Sequence, residues 1–124
     1  MKSNSNDRPA IIQNLGNGAY YYNFNITQRT ETDEDGNERT TYDYDTVKVW
    51  GNPTQAVLVK AVIREDLDET AEFELVNEYN AANIGLLVDA EAEAAKERYS
   101  AYLRRVQEIK VNVKADLAAA GATN

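Results

Sequence analysis

Tyr42–Ile63, YDYDTVKVWGNPTQAVLVKAVI, changes its period in the middle. Through Trp50 apolar and polar residues alternate, as along a strand with one buried face; beyond Gly51-Asn52-Pro53 the apolar residues run on as in a buried helix. Asn52-Pro53-Thr54-Gln55 supplies an N-cap, a proline at the first helical position and a glutamine placed to close a capping box. Ala56, Val57, Leu58, Val59, Ala61, Val62 and Ile63 leave only Lys60 polar. A helix over about 53–64, apolar nearly all round, is expected to be buried between a sheet and other helices.

Upstream, from Ala19 to Trp50, two runs rich in aromatic and β-branched residues flank Asp35-Gly36, which predicts a β-hairpin over about 19–31 and 38–50. With Asp35 and Gly36 as a two-residue turn, Tyr22 falls opposite Val49, Phe24 opposite Val47 and Ile26 opposite Asp45. These make a core face near the base of the hairpin. The other face pairs Tyr21 with Trp50, Asn23 with Lys48, Thr27 with Tyr44 and Arg29 with Tyr42, and a slip of one residue would mix the two faces. Beyond Thr27 both strands turn polar, so the distal half is expected to project. Two strands alone are marginal in water, and the helix after Pro53 is their expected cover.

Downstream, Asp66 as N-cap with Glu69 three residues on predicts a second short helix over about 67–81, with Leu67, Ala71, Leu75, Val76 and Tyr79 inward. Ile84–Val88 is a short apolar link. From Asp89 no glycine or proline interrupts the chain until Gly121, which predicts a long C-terminal helix over about 89–119, roughly 45 Å in extent. Its heptad seams are Ala92, Tyr99, Val106, Val113 and Ala120, with Ala95, Tyr102, Ile109 and Asp116. A helix of this length outreaches the other elements. Its stripe from about Val106 onward is expected to lack an intrachain partner, the mark of an association surface. The fold class is therefore α+β, with a flexible N-terminal arm over 1–10 and a single domain over 11–124.

Composition narrows the function. The 124 residues include no cysteine and no histidine, so thiol nucleophiles, zinc–cysteine sites, the commonest general base and the commonest transition-metal ligand have no residue to build them. A net charge of −8 from 21 acidic and 13 basic residues opposes nucleic-acid binding. MKSNSNDRPA has no apolar signal-peptide core and no run approaches a membrane span, so a cytoplasmic protein is the expectation.

Asp33-Glu34-Asp35-Gly36-Asn37-Glu38 resembles part of a calcium loop, but its carboxylate spacing departs from that pattern and a solvated hairpin tip explains each residue. Tyr20, Tyr21, Tyr22, Tyr42, Tyr44 and Trp50 suit either a stacking platform for a sugar or base, or cross-strand stabilisation of an exposed ribbon. Asn25-Ile26-Thr27 is a glycosylation sequon without a signal peptide. The basic residues Arg98, Arg104, Arg105, Lys110 and Lys114 are interleaved with acids, as on a solvated face. No pair of carboxylates is singled out for glycoside hydrolysis. The expectation is a protein that is not an enzyme and has no catalytic, cofactor-binding or metal-binding residues. Its candidate protein-contact residues are Tyr21, Tyr42, Tyr44 and Trp50 on the hairpin and Tyr99, Tyr102, Val106, Ile109 and Val113 on the long helix.

Over roughly Asp45 to Val113 the chain also resembles small tail-region proteins of phages and prophages. The resemblance rests on Val47, Val49, Gly51, Pro53 and Thr54, on Ala61–Arg64, on Asp66–Glu69, and on Tyr99, Tyr102 and Leu103. It implies a virion or tail-assembly component, of a type often encoded by phages and prophages of gut Bacteroidetes. Such a component works in the host cytoplasm during assembly or in the virion, in contact with other copies of itself or with phage structural proteins. Neither nucleic acid, membrane nor small-molecule substrate is an expected partner. The long hairpin ahead of the matching region is a departure. Two other readings stay open: a carbohydrate- or ligand-binding module that uses the tyrosine-rich hairpin in host recognition, and a hydrolase working through carboxylates.

Overall fold

The computed structural model describes residues 2–121; Met1 and residues 122–124, which end the expected arm and domain, lie outside the described residues. The elements are β1 (Lys2–Ser5), β2 (Ile12–Asn14), β3 (Ala19–Thr32), β4 (Glu38–Trp50), α1 (Gln55–Asp66), α2 (Glu69–Asn83) and α3 (Asp89–Ala119). The fold is α+β. The hairpin β3–β4 forms the centre of a four-stranded antiparallel sheet of order β1-β4-β3-β2. The free arm expected at the N-terminus is thus corrected for Lys2–Ser5, which pairs with Tyr42–Asp45. β1 has no apolar period to announce it; backbone pairing holds it, together with Lys2 Nζ 2.9 Å from Asp45 and Asn4 Nδ2 donating to Asp43 at 2.8 Å.

The register differs from the two-residue turn in two places. The turn is a three-residue loop in which Asp33 and Asn37 pair, Gly36 N donates to Asp33 O at 3.0 Å and Gly36 takes φ +82°. This is the type I turn plus left-handed residue that also builds hairpins. A second slip is a bulge between Phe24 and Thr27. Asn25 adopts φ +53° there, a conformation that asparagine tolerates better than most residues. Each slip is one residue in the same sense, so at the base Tyr22 faces Val47 and Tyr20 faces Val49. A shift of two leaves the residues at the base, Ala19 to Phe24 and Asp45 to Trp50, on their expected faces. Beyond the bulge the parity of β3 inverts, and Thr27, Arg29 and Glu31 join Asp43, Thr41 and Arg39.

The distal ribbon is held by charge. Arg29 lies 3.0 Å from Glu31 and 3.5 Å from Asp43, and Arg39 lies 3.2 Å from Glu31. Thr41, opposite Arg29, is 1% exposed and its hydroxyl has no hydrogen-bond partner. A buried hydroxyl without a partner costs on the order of 1 kcal/mol or more. Thr41→Val, which keeps the shape and removes that group, is therefore expected to raise stability by about 1 kcal/mol, read as a higher urea midpoint at unchanged slope.

α1 is capped by Thr54, whose side chain accepts from Val57 N, and α2 by Asp68, which accepts from Ala71 N at 2.8 Å. Both caps stand two residues later than Asn52 and Asp66, the residues expected in that role. Leu67 N still donates to Ile63 O, so α1 continues through Asp66 and leaves Asp68 to start the next helix.

α1 and α2 run end to end, antiparallel to α3. Asp66 meets Arg105 at 2.9 Å, Tyr102 hydrogen-bonds Glu72, Arg98 meets Glu78 at 2.7 Å, and the rings of Tyr79 and Tyr99 stack at 4.5 Å. The core joins Tyr22, Val47 and Val49 of the sheet to Leu58, Val59 and Val62 of α1 and to Ile109, Val113 and Leu117 of α3. The C-terminal half of α3 and α1 therefore cover the sheet together. The N-terminal half of α3 and α2 have only each other, and they extend from the body as a two-helix arm.

Candidate interaction surfaces

Tyr21, Tyr42, Tyr44 and Trp50 share the sheet face turned away from the helices, as strand alternation requires. They do not form one platform. Residues 6–11 pass from β1 at one edge to β2 at the other. Ala10 O accepts from Asn23 Nδ2 at 2.8 Å, and Asn23 Oδ1 accepts from the Thr46 hydroxyl at 2.6 Å. Asn23 is 2% and Thr46 5% exposed, so a sealed polar pair divides the aromatic face. Toward the base, Tyr21 pairs with Lys48, not with Trp50 as expected, and the Lys48 ammonium sits 4.7 Å from the Trp50 ring centroid. Trp50 is 64% exposed. Toward the tip, the Arg8 guanidinium lies 6.0 Å from the centroid of the Tyr42 ring.

Tyr99 and Tyr102 hold the arm together. Tyr99 stacks between Tyr79 and Tyr102. The Tyr102 hydroxyl donates to Glu72, which also receives Arg64 at 3.0 Å. Arg64 spans the break between α1 and α2, since it also donates to Leu67 O at 3.4 Å and lies 3.8 Å from Glu69. Hydrogen bonding to Arg64 draws the Glu72 carboxyl below its usual range. Burial, then the Glu72 carboxylate, pushes the Tyr102 phenol up to about 12.

Val106, Ile109 and Val113 are not a free stripe. Ile109 is 3% and Val113 1% exposed within the core, and Val106 is half-buried against α1, so the expected association surface is corrected. The sheet is wider than a hairpin and needs more cover than α1 supplies; α3 supplies it. Exposed apolar residues lie instead at the arm's end, where Ile84 is 71%, Leu86 72% and Val88 66% exposed. The run Ile84–Val88 read as a link because five residues are too few to show a period. Phe73 on α2 is 67% exposed as well.

A second overlooked feature is a groove of about 650 Å³ beside α1. It is lined by Ala56, Val59 and Ile63, one helical stripe, with Lys60, Arg64, Lys110 and the Glu72 carboxylate around it. α1 is apolar nearly all round, but α2 turns away at Leu67 and runs on along α3. This side of α1 is therefore only partly covered: Ala56 is exposed and Ile63 half-buried, while Val59 packs into the core.

Two other features have local work. At the hairpin tip, the Asp33 carboxylate accepts from Asp35 N at 3.0 Å and Asn37 N at 2.8 Å, so it shapes the turn. Among the described residues no three His, Cys, Asp or Glu side chains are grouped to hold a metal ion. Inside the core, Tyr22 is 1% exposed and donates to Asp116. Burial, then the Asp116 carboxylate, raises its phenol above the ordinary value. The folded state then holds this proton more tightly than the unfolded chain. Stability is full below pH about 10 and falls above it by up to about 1.4 kcal/mol per pH unit. Tyr102, partly solvated, adds a smaller loss between pH about 10 and 12. Tyr22→Phe is expected to remove the larger component, so that denaturation midpoints measured from pH 9 to 11 decline less steeply than in the parent.

These features define an α+β protein with two projections, a charged β-ribbon and a two-helix arm tipped by apolar residues. No protein-family model matches the chain, and neither a curated protein nor a solved structure does. No helix among the described residues is long and apolar enough to cross a membrane.

Proposed function

We propose that the protein is a non-enzymatic structural or adaptor component of a phage tail or related particle, working through protein–protein contacts. The observation that carries the contact role is the arm's end. Ile84, Leu86 and Val88, each about two-thirds exposed or more, fall within five residues at the end of a projection. Grouped apolar exposure of that kind marks an interaction site. The charged ribbon beyond Thr27 is a second projecting surface. The particle itself is suggested by the sequence resemblance over Asp45–Val113.

The test is fractionation. A tagged chain expressed in a host producing particles of this type is expected to band with them in a density gradient, at a fixed ratio to the major structural protein. A chain that stays at the top of the gradient while particles form normally contradicts the proposal. Trp50, exposed beside Lys48 and Tyr21, favours a second reading as a carbohydrate-binding face. That reading requires glycan-array binding that disappears on Trp50→Ala with the mass in solution unchanged.

A further inference from the structure

We infer that the arm's tip on one copy seats in the α1 groove of another, so that the chain assembles head to tail. This rests on the contact role proposed above and names its partner. The two surfaces match in apolar character: Ile84, Leu86 and Val88 project, and the groove is lined by Ala56, half-buried Ile63 and the edge of Val59, whose side chain otherwise packs into the core. They also match in charge. From Glu65 to Ala95 the chain has ten acidic residues and no basic one, whereas the rest carries the other eleven acids and all thirteen bases. Next to the tip, Asp89, Glu91 and Glu93 make no ion pair among the described residues, and neither do Lys60 and Lys110 at the groove. Arg64, the third cation there, is engaged by Glu72.

The tip cannot reach its own groove. Val88 caps the continuous helix that carries Lys110, and the two are about 33 Å apart at 1.5 Å per residue. The contact is therefore between copies. Because it joins two different patches, each joined pair keeps one tip and one groove free, and growth continues to a ring or a filament. Charge steering makes the contact weaker at high salt.

The experiment is light scattering on the whole chain and on two variants. Leu86→Lys alters the tip, and Lys60→Glu with Lys110→Glu alters the groove; all three side chains are exposed, so thermal midpoints serve as a check that both variants fold. The parent is expected above the 13.9 kDa of one chain, increasingly so with concentration and less so at high salt. Each variant alone is expected at one chain. An equal mixture of the two is expected at two chains, because one variant keeps its groove and the other its tip. A parent at one chain at every concentration overturns the inference, as does a variant that keeps the parent's mass. A mixture that remains at one chain also overturns it. A monomeric parent that still bands with particles removes the head-to-tail contact alone; failure to band removes the reading beneath it, whatever the mass.

Discussion

Ile109→Lys is expected to unfold the protein and not to disperse an oligomer. Ile109 is 3% exposed between Val62 of α1 and the Tyr22 side of the sheet. Lysine removes a buried isoleucine, a loss of roughly 2–5 kcal/mol by itself, and leaves an ammonium in the core without a carboxylate partner. A domain of this size is stable by roughly 5–15 kcal/mol, so the urea midpoint should fall by half or more, or folding should fail at 37 °C. Leu103→Lys on the same helix is the control. Leu103 is 47% exposed, and its change is expected within about 0.5 kcal/mol of the parent. An Ile109→Lys chain with an unchanged midpoint and a lower mass would mean that the stripe is an interface after all.

Asn23→Leu is expected to cost about 2–3 kcal/mol, although leucine is more apolar and of similar size. Asn23 is 2% exposed on the face away from the helices, where it donates to Ala10 O and accepts from Thr46. Its backbone N also donates to Ile11 O at 2.8 Å. Leucine leaves the Ala10 carbonyl without its donor inside a sealed contact, and a partly satisfied polar site is worse than an apolar one. The crossing segment 6–11 should loosen first. Amide exchange at Lys2–Ser5, which that segment ties back to the sheet, is expected to quicken more than exchange in α3. A midpoint within about 0.5 kcal/mol of the parent would show that backbone pairing alone holds the crossing in place.

The elements with a clear period were legible in the sequence. The change at Gly51 separates β4 from α1, and α3 begins at Asp89 and ends at Ala119 where the uninterrupted pattern placed it. The core face of the hairpin was legible for a reason its turn did not supply, since two one-residue slips at Asp33–Asn37 and Asn25–Ile26 sum to an even shift. β1 was not legible. KSNS makes its contacts through backbone and charge, and a strand without apolar residues has no alternation to read. The caps were ambiguous because Asn52 and Thr54, like Asp66 and Asp68, are good capping residues two apart, and which of the pair is used depends on where the preceding chain stops pairing.

Interaction surfaces were the hardest part. The length of α3 signalled that some of its stripe would lack a partner, but helix length does not say which half meets the sheet. Tertiary packing settled it: Ile109, Val113 and Leu117 went under the sheet, and Tyr99 and Tyr102 went into the arm. Exposure fell on Ile84–Val88, a run too short to classify, on Phe73 of α2 and on Leu103 and Val111 of α3, while on the groove side of α1 it reached only Ala56 and, in part, Ile63. The arm's thinness has a dynamic consequence. Ala82 and Ala95 are the buried residues among its helical contacts, at 8% and 1% exposure, so it should open locally at lower free energy than the body.

Residue-resolved amide exchange as a function of protein concentration tests the division of α3 most directly. Amides of Ile84–Asp89 and of the exposed side of α1 are expected to gain protection as concentration rises, while those of Ile109–Leu117 stay at the slow, concentration-independent rate set by global unfolding. Protection that rises with concentration at Ile109–Leu117, with none gained at the tip, would contradict the account.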